Sequence, residues 1–361
     1  MNAMNSYTLL GRSGLRVSPI ALGTMTFGEE WGWGAARPAA RALFDEYIAA
    51  GGNFIDTADL YTNGTSETWL GEFMQESGNR ERLVIATKYS YNAQPGNPNA
   101  GGNHRKNLLR ALEGSLRRLK TDYIDLYYLH TWDRLTPVDE VMRAMDDALR
   151  AGKIRYVGLS DTPAWFASRA QTLAQWRGFE PVAAMQLEYS LVERNPELEF
   201  TDLAQELGMG LVPWSPLAMG LLSGKYRPST PGAQAKFGEG RLQTTSAAGT
   251  PAPGFDKFTA RNFAIVAELE KVAQEATVSM AQAALYWLHR KRAVASIIVG
   301  ATKPEQLRDS MASLQMRLSD TQLARLDAAS EPAKPFPYYM FSDRHQARIT
   351  GDVPVHPGTG R

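Results

Sequence analysis

Short apolar segments alternate with longer amphipathic stretches along most of the chain. Each segment is nearly continuous in apolar residues, which is typical of parallel strands covered on both faces. The pattern also predicts helices between the segments, for example over Pro38–Ala50, ahead of Gly51-Gly52, and over Arg105–Leu119. The predicted strands are Ile20–Gly23, Asn53–Thr57, Leu83–Lys88, Ile124–His130, Ile154–Ser160, Ala183–Leu187, Gly210–Trp214 and Ser296–Gly300.

Eight such strands with crossover helices predict an α/β fold of the (β/α)8 TIM barrel type, because closure removes both exposed edges of the sheet. Barrels commonly reach this length, so we expect residues 1–361 to form a single domain, with the barrel and its last helix over 20–330. Residues 7–19 surround a Ser-Gly turn and predict an N-terminal β-hairpin. Residues 224–257 predict a long loop after strand seven, either a functional lid or a disordered segment, and the proline-rich residues 331–361 predict an extended C-terminal tail draped on the barrel.

Net charge and composition limit the binding partners and the kinds of site to be expected. The chain has 39 basic and 38 acidic residues, a formal net charge of +1, which gives no electrostatic reason to expect nucleic acid or a membrane. It has no cysteine, which excludes disulfides and thiolate chemistry, and its five histidines show no metal-binding spacing. No secretory signal or membrane-spanning run is present. We therefore expect a cytoplasmic protein without a metal. A homo-oligomer stays possible.

Four polar side chains close or follow three consecutive predicted strands. Asp56 ends the second strand, Tyr61 follows five residues later, Lys88 ends the third strand and His130 ends the fourth. Active sites of such barrels lie at the carboxyl ends of the strands. The set suits proton transfer to a carbonyl oxygen: an ammonium stabilises the phenolate of a tyrosine, whose ordinary pKa is about 10. Asp56 would hold Lys88, and His130 would orient the substrate oxygen.

Other interpretations stay open at these positions. A strand-end aspartate can be a helix cap, a buried histidine can be a core residue, and a lysine at a barrel strand end can form a Schiff base, as in an aldolase. The run Gly32-Trp33-Gly34-Ala35-Ala36-Arg37 has the setting of a dinucleotide-binding fingerprint. Arg37 stands where that fingerprint requires a small residue, which argues against a Rossmann fold.

Several segments together resemble the aldo-keto reductase superfamily, near its potassium-channel beta-subunit and aryl-alcohol dehydrogenase branches. They are LGTMTFG at 22–28, FIDTADLY at 54–61, the strand-end Lys88 and His130, and WSPLAMGLLSGK at 214–225. The resemblance covers roughly residues 7–330. It implies an NAD(P)H-dependent oxidoreductase that reduces an aldehyde or ketone to an alcohol, or the reverse, by direct hydride transfer, with Tyr61 as general acid or base in a tetrad with Asp56, Lys88 and His130. A cofactor-binding regulatory module of the channel beta-subunit kind stays an alternative.

The resemblance also implies cofactor contacts, position by position. NADPH is the expected cofactor, and NADH stays possible because Gln306 stands where some relatives have arginine. Asp161 replaces the more common asparagine in the group that holds the carboxamide, and this puts that hydrogen bond in doubt. The expected contacts are Gly23, Thr24, Met25 and Asp56 near the nicotinamide ribose; Ser160, Asp161 and Gln186 at the carboxamide; Trp214 on the ring; Ser215, Pro216, Leu217, Gly220, Leu222, Gly224 and Lys225 at the pyrophosphate; and Gly300, Ala301, Thr302, Lys303, Gln306 and Ser310 at the adenosine phosphate.

Aromatic residues in the predicted rim loops suggest the substrate pocket. Trp31, Trp33 and Trp132 are expected to line it together with Tyr61 and His130. Such a lining favours a bulky apolar carbonyl compound.

Overall fold

A hairpin precedes the barrel, as the sequence predicts. A computed structural model describes residues 3–226 and 256–354, and the chain divides into two compact units, Met1–Ser330 and Glu331–Arg361. In the first unit β1 (Thr8–Leu9) pairs antiparallel with β2 (Arg16–Val17). The predicted hairpin over residues 7–19 is confirmed.

Eight parallel strands follow in the hydrogen-bonded order β10-β3-β4-β5-β6-β7-β8-β9. Backbone hydrogen bonds from Leu211 N to Ala293 O (2.8 Å) and from Ile298 N to Pro213 O (2.9 Å) join the two ends of this order. The sheet therefore closes on itself, and the predicted (β/α)8 barrel is confirmed. The strands are β3 (Ile20–Gly23), β4 (Phe54–Asp56), β5 (Val84–Tyr89), β6 (Ile124–Leu129), β7 (Ile154–Ser160), β8 (Val182–Gln186), β9 (Gly210–Leu211) and β10 (Ile297–Gly300).

Helices separate the strands, and their apolar residues recur three or four apart, so that one face packs on the sheet. In α4 (Val138–Arg150), for example, Val138, Val141, Met142 and Met145 are buried. No helix among the described residues is both long and apolar enough to cross a membrane. Within the described residues, the helices of the first unit are α1 (Arg37–Ala49), α2 (Thr65–Ser77), α3 (Arg105–Arg118), α4 (Val138–Arg150), α5 (Ala164–Arg177), α6 (Pro196–Leu207), α7 (Ala260–Ala276), α8 (Met280–His289), α9 (Pro304–Ala312) and α10 (Asp320–Ala329).

The strands bury both faces, which explains their continuous apolar sequence. Residues such as Leu22, Ile55 and Ile85 face the helices in the larger core cluster. Alternate residues, such as Phe54 and Ala86, fill the interior of the barrel in a second cluster. Because side chains alternate along a strand, most strands contribute residues to both clusters.

Two expectations need correction. The seventh barrel strand was predicted over Gly210–Trp214, but β9 ends at Leu211, since Pro213 has no N–H to donate to a neighbouring strand. The tail was predicted to be extended, but it contains a 3-10 turn (Tyr338–Phe341) and a helix, α11 (Asp343–Thr350), which Gly351 ends in a left-handed conformation. Helix forms there because the prolines of the tail lie on either side of residues 338–353. Most of the predicted loop over 224–257 lies outside the described residues.

Candidate active site

Inward-facing residues at the carboxyl ends of the barrel strands form the candidate site. Side chains two positions apart on a strand point to the same face, so an interior row continues to the rim. Several rows that are apolar inside the barrel end there in a polar side chain. The paired positions are Phe54 and Asp56 on β4, Ala86 and Lys88 on β5, Tyr128 and His130 on and just after β6, and Ala184 and Gln186 on β8.

Lys88 is the centre of this group and is fully buried. Its ammonium donates to Asp56 Oδ1 at 2.5 Å, to the carbonyl oxygen of Thr57 at 2.8 Å and to the Tyr61 hydroxyl at 3.0 Å. Burial alone would lower the pKa of Lys88, but the attraction of Asp56 and Tyr61 outweighs burial and holds it above its ordinary value. Lys88 is therefore a cation fixed beside the phenol oxygen.

Asp56 is held on both of its carboxylate oxygens. Oδ1 accepts from Lys88, and Oδ2 accepts from Gln186 Nε2 at 2.8 Å. The carboxylate is 2% exposed, so it lies in a medium where charge interactions are strong. Gln186, which the resemblance assigns to the cofactor, thus also holds Asp56.

Tyr61 and His130 face each other at the rim. Tyr61 begins a short 3-10 turn after β4, and its ring meets the His130 ring edge to face, with centroids 5.8 Å apart. Burial and the nearby Lys88 lower the pKa of His130 well below its ordinary value, so the imidazole is neutral at neutral pH. Its Nδ1 atom is buried without a hydrogen-bond partner within the described residues. The structure thus brings the four predicted catalytic residues together.

A cavity of about 1010 Å³ opens over these residues and extends to the start of α9. Most predicted cofactor positions lie on its wall, whereas Gly23, Thr24, Leu222 and Gly224 do not. The predicted residues that line the cavity are Met25, Trp33, Asp56, Tyr61, His130, Ser160, Asp161, Gln186, Trp214, Ser215, Pro216, Leu217, Gly220, Lys225, Gly300, Ala301, Thr302, Lys303, Gln306 and Ser310.

The tryptophans predicted for the substrate pocket divide into two groups. Trp33 lines the cavity, and Trp31 packs against both Trp33 and Tyr61, with ring centroids 5.7 and 6.3 Å away. Trp132 is not on the wall, and its ring packs edge to face on Trp165 at 5.5 Å. The loop after β3 therefore contributes aromatic surface beside the phenol.

Sequence reasoning missed several residues on the wall. Tyr91 lines the cavity, and its ring stands perpendicular to the His130 ring with centroids 5.0 Å apart. Glu188 follows Gln186 by two positions, so the alternation that identified Gln186 also points to Glu188. Asp309 lies on α9, and no pattern in the sequence indicated it.

The residues at the start of α9 suit an anionic group. The amides of Thr302 and Lys303 donate to Gln306 Oε1 at 2.9 and 3.3 Å, so an oxygen of the chain itself occupies this turn. Helix N-termini bind anions through such amides. Lys225 also lines the cavity, and partial burial lowers its pKa. These groups could hold the phosphates of a nucleotide.

The opposite part of the cavity offers hydrogen-bonding groups for a polar ring substituent. Ser160 Oγ is buried and has no hydrogen-bond partner among the residues described. Next to it, Asp161 Oδ1 accepts from the indole N–H of Trp214 at 3.0 Å. Together with Gln186, these side chains could hold the carboxamide of a nicotinamide.

Comparison with known proteins gives a consistent result. A family model described as the aldo/keto reductase family matches residues 19–331. An NADP(+) aryl-alcohol dehydrogenase of Phanerodontia chrysosporium is 35% identical over 365 residues, covering 96% of this chain and 90% of the relative. An aryl-alcohol dehydrogenase of Pestalotiopsis microspora is 32% identical over the same shares, 96% and 90%. A norsolorinic acid reductase of Emericella nidulans is 34% identical, covering 94% and 85%.

Proposed function

Because this chain belongs to the aldo/keto reductase family, and is thus a nicotinamide-dependent oxidoreductase of carbonyl and alcohol groups, we propose that Tyr61 is its general acid and base. The observation that carries this proposal is the short contact between the Lys88 ammonium and the Tyr61 hydroxyl, 3.0 Å. It supports a phenol that can release its proton to a carbonyl oxygen.

Each of the four side chains has a separate role in this proposal. Tyr61 donates its proton to the substrate oxygen during reduction and takes it back during oxidation. Lys88 stabilises the phenolate left behind, and Asp56 keeps Lys88 charged and in place. Neutral His130 hydrogen-bonds the substrate oxygen without adding a charge that would compete for the proton. The cofactor supplies the hydride when it is bound.

Lys88 is poorly placed for the alternative Schiff-base chemistry. A nucleophilic amine must be neutral and reachable, whereas this ammonium is fully buried and its pKa is raised. All three of its protons already have acceptors. The geometry therefore favours an electrostatic role in hydride transfer over covalent catalysis.

We propose NADPH as the preferred cofactor, with NADH as a weaker substitute. Lys303 lines the cavity beside the α9 N-terminus, where a 2′-phosphate would meet a cation and could take the place of Gln306 Oε1 on the amides of Thr302 and Lys303. The name of the Phanerodontia chrysosporium relative specifies NADP(+). Gln306 contributes no charge at this place, so the discrimination against NADH is expected to be modest.

We propose aryl aldehydes and ketones as the substrate class. Trp33 and Tyr91 on the cavity wall, with Trp31 packed behind Tyr61, offer flat apolar surface next to the phenol. Aromatic rings stack on such surfaces with a gain of about 0.5–1.5 kcal/mol beyond their area burial. The names of the relatives, aryl-alcohol dehydrogenase and norsolorinic acid reductase, also point to aromatic compounds.

The test is a comparison of the wild-type enzyme with Tyr61→Phe. Reduction of an aryl aldehyde is followed by loss of NADPH absorbance, with an aliphatic aldehyde of similar size and with NADH as comparisons. Tyr61→Phe should lower kcat by about 100-fold or more, since general acid catalysis contributes about 10²–10⁴-fold. Calorimetric titration should show unchanged NADPH affinity. Undiminished turnover of the variant would refute the role of Tyr61.

A further inference from the structure

Asp161 is a charged residue in the wall of the cofactor cavity at a position where the chain conformation is fixed. It follows β7 directly and has φ of 44°, a left-handed conformation that aspartate and asparagine tolerate better than most residues. Its N–H donates to Gln186 O at 3.2 Å, and its carbonyl oxygen accepts from Trp132 N at 3.3 Å. The side chain is thereby directed into the cavity, to which it is exposed.

Within the part of the chain that the structure describes, one oxygen of this carboxyl group accepts a hydrogen bond, from the Trp214 indole N–H at 3.0 Å. Three ionisable groups face it from neighbouring strand ends: Glu188 after β8, Lys88 on β5 and Tyr91 after β5. The charge of Lys88 is already matched by Asp56. Glu188 forms an ion pair with Lys257 at 2.8 Å. Among residues 3–226 and 256–354, no cation therefore forms an ion pair with Asp161.

Resting on the proposed function, we propose that Asp161 makes this enzyme bind the oxidised cofactor more tightly, relative to the reduced one, than an amide at this position would. Asp161 lies beside Ser160 and Gln186, the side chains suited to the carboxamide, so its charge is next to the nicotinamide end of the cavity. An oxidised nicotinamide ring carries one positive charge and the reduced ring carries none. A carboxylate attracts only the former, whereas asparagine does not discriminate by charge.

This preference for the oxidised over the reduced cofactor should increase with pH. Enclosure by the cavity wall raises the pKa of Asp161 to about 7, although the indole N–H opposes this. Asp161 is therefore mostly neutral at acid pH and ionised at alkaline pH, and the preference for the oxidised cofactor must grow as the pH rises. Of the groups that face it, Lys88 and Tyr91 have raised pKa values and keep their charge states across neutrality.

The experiment measures dissociation constants of NADP+ and NADPH by calorimetric titration, for the wild-type protein and Asp161→Asn, at about pH 6 and about pH 8.5, on either side of the expected midpoint. Asparagine keeps the shape, the left-handed conformation and an acceptor for Trp214. The 2′-phosphate, with a second pKa of about 6, is common to both forms of the cofactor, so its titration cancels in the ratio of the two constants.

We expect Asp161→Asn to raise the ratio of the NADP+ constant to the NADPH constant by about tenfold at the higher pH, or about 1.4 kcal/mol, and by about twofold or less at the lower pH. The variant's own ratio should not change with pH. Asp309→Asn is the matched control, because it removes one negative charge from the same cavity at α9, where it accepts from Ser279 and Gln282. It should affect both forms of the cofactor alike.

Three results would overturn the inference: equal ratios in the wild type and Asp161→Asn, a pH dependence that survives in the variant, or an equal change of the ratio in Asp309→Asn. Failure of the proposed function gives a different result, undiminished turnover in Tyr61→Phe, which is measured separately from these dissociation constants. Binding of both forms with an unchanged ratio refutes only the role of Asp161.

Discussion

Replacing Asp56 by asparagine tests the electrostatic basis of the site without changing its shape. In the wild-type protein Oδ1 accepts from Lys88 and Oδ2 accepts from Gln186. Asparagine has one oxygen and one NH2 group. The oxygen can accept from only one side, so the NH2 group must face the other donor, either Lys88 or Gln186. The variant also leaves the buried Lys88 without an anionic partner.

Asp56→Asn is expected to have two effects, one on the free energy of unfolding and one on kcat. Removing one partner of a buried ion pair typically lowers the free energy of unfolding by about 3–5 kcal/mol. Burial is the largest influence on Lys88, and it acts to lower the pKa, so without Asp56 that pKa falls. Each unit of the fall removes about 1.4 kcal/mol of preference for the charged amine. Once Lys88 is neutral, the phenolate of Tyr61 loses its stabilising cation, and we expect kcat to fall by about 100-fold at pH near 8.

The assay is the pH dependence of kcat for reduction of an aryl aldehyde, together with urea unfolding of the same proteins. Reduction requires charged Lys88, so the rate declines as pH rises through the pKa of that group. Lowering this pKa must move the decline to lower pH, and activity should partly return on acidification. Asp146→Asn is the control, since Asp146 is also buried and ion-paired, at 2.6 Å to Arg150 on α4.

The control should lose stability but keep the wild-type pH profile. A profile of Asp56→Asn that superimposes on the wild-type profile would contradict the reasoning, because it would mean that Asp56 does not govern the charge of Lys88. A uniform loss of activity at every pH would point to misplacement of the side chains instead.

Two further substitutions give clear expectations. Gln306→Arg should raise the ratio of kcat/KM for NADPH to kcat/KM for NADH by about tenfold, because arginine forms charge-assisted hydrogen bonds with phosphate. An unchanged ratio would place the 2′-phosphate away from α9. Gly71→Ala should lower the free energy of unfolding by about 1–3 kcal/mol in urea titrations, since its Cβ would lie 2.7 Å from the carbonyl carbon of Leu119. Gly14→Ala, which has open space around the new methyl group, is the control and should be nearly neutral.

Alternation along strands is the reason why so much of the site could be predicted from the sequence. The positions of Asp56, Lys88 and His130 follow from the apolar runs that precede them, because a strand leaves its end residue little choice of direction. The same rule, carried two residues past Gln186, would have found Glu188. The strand pattern thus indicates three of the four proposed catalytic residues, whereas Tyr61 lies in the 3-10 turn after β4.

Loop conformation accounts for what the sequence could not predict. Trp132 and Tyr91 both lie in loops after barrel strands, yet Tyr91 reaches the cavity and Trp132 packs on Trp165 instead. Their directions depend on irregular backbone, for which no periodic pattern exists. Likewise, the helix in the tail is a local feature of a proline-free stretch that the composition of residues 331–361 as a whole conceals.

In the proposed mechanism, the three hydrogen bonds of the Lys88 ammonium have a consequence for the rate of the chemical step. A cation that already points one N–H at the phenol oxygen does not have to turn when that oxygen becomes an anion. In water, molecules around a newly formed anion must reorient, and this reorientation is a large part of the barrier. In this protein the Lys88 N–H is already oriented toward the phenol oxygen before the substrate binds. The reorientation is therefore complete once the protein has folded.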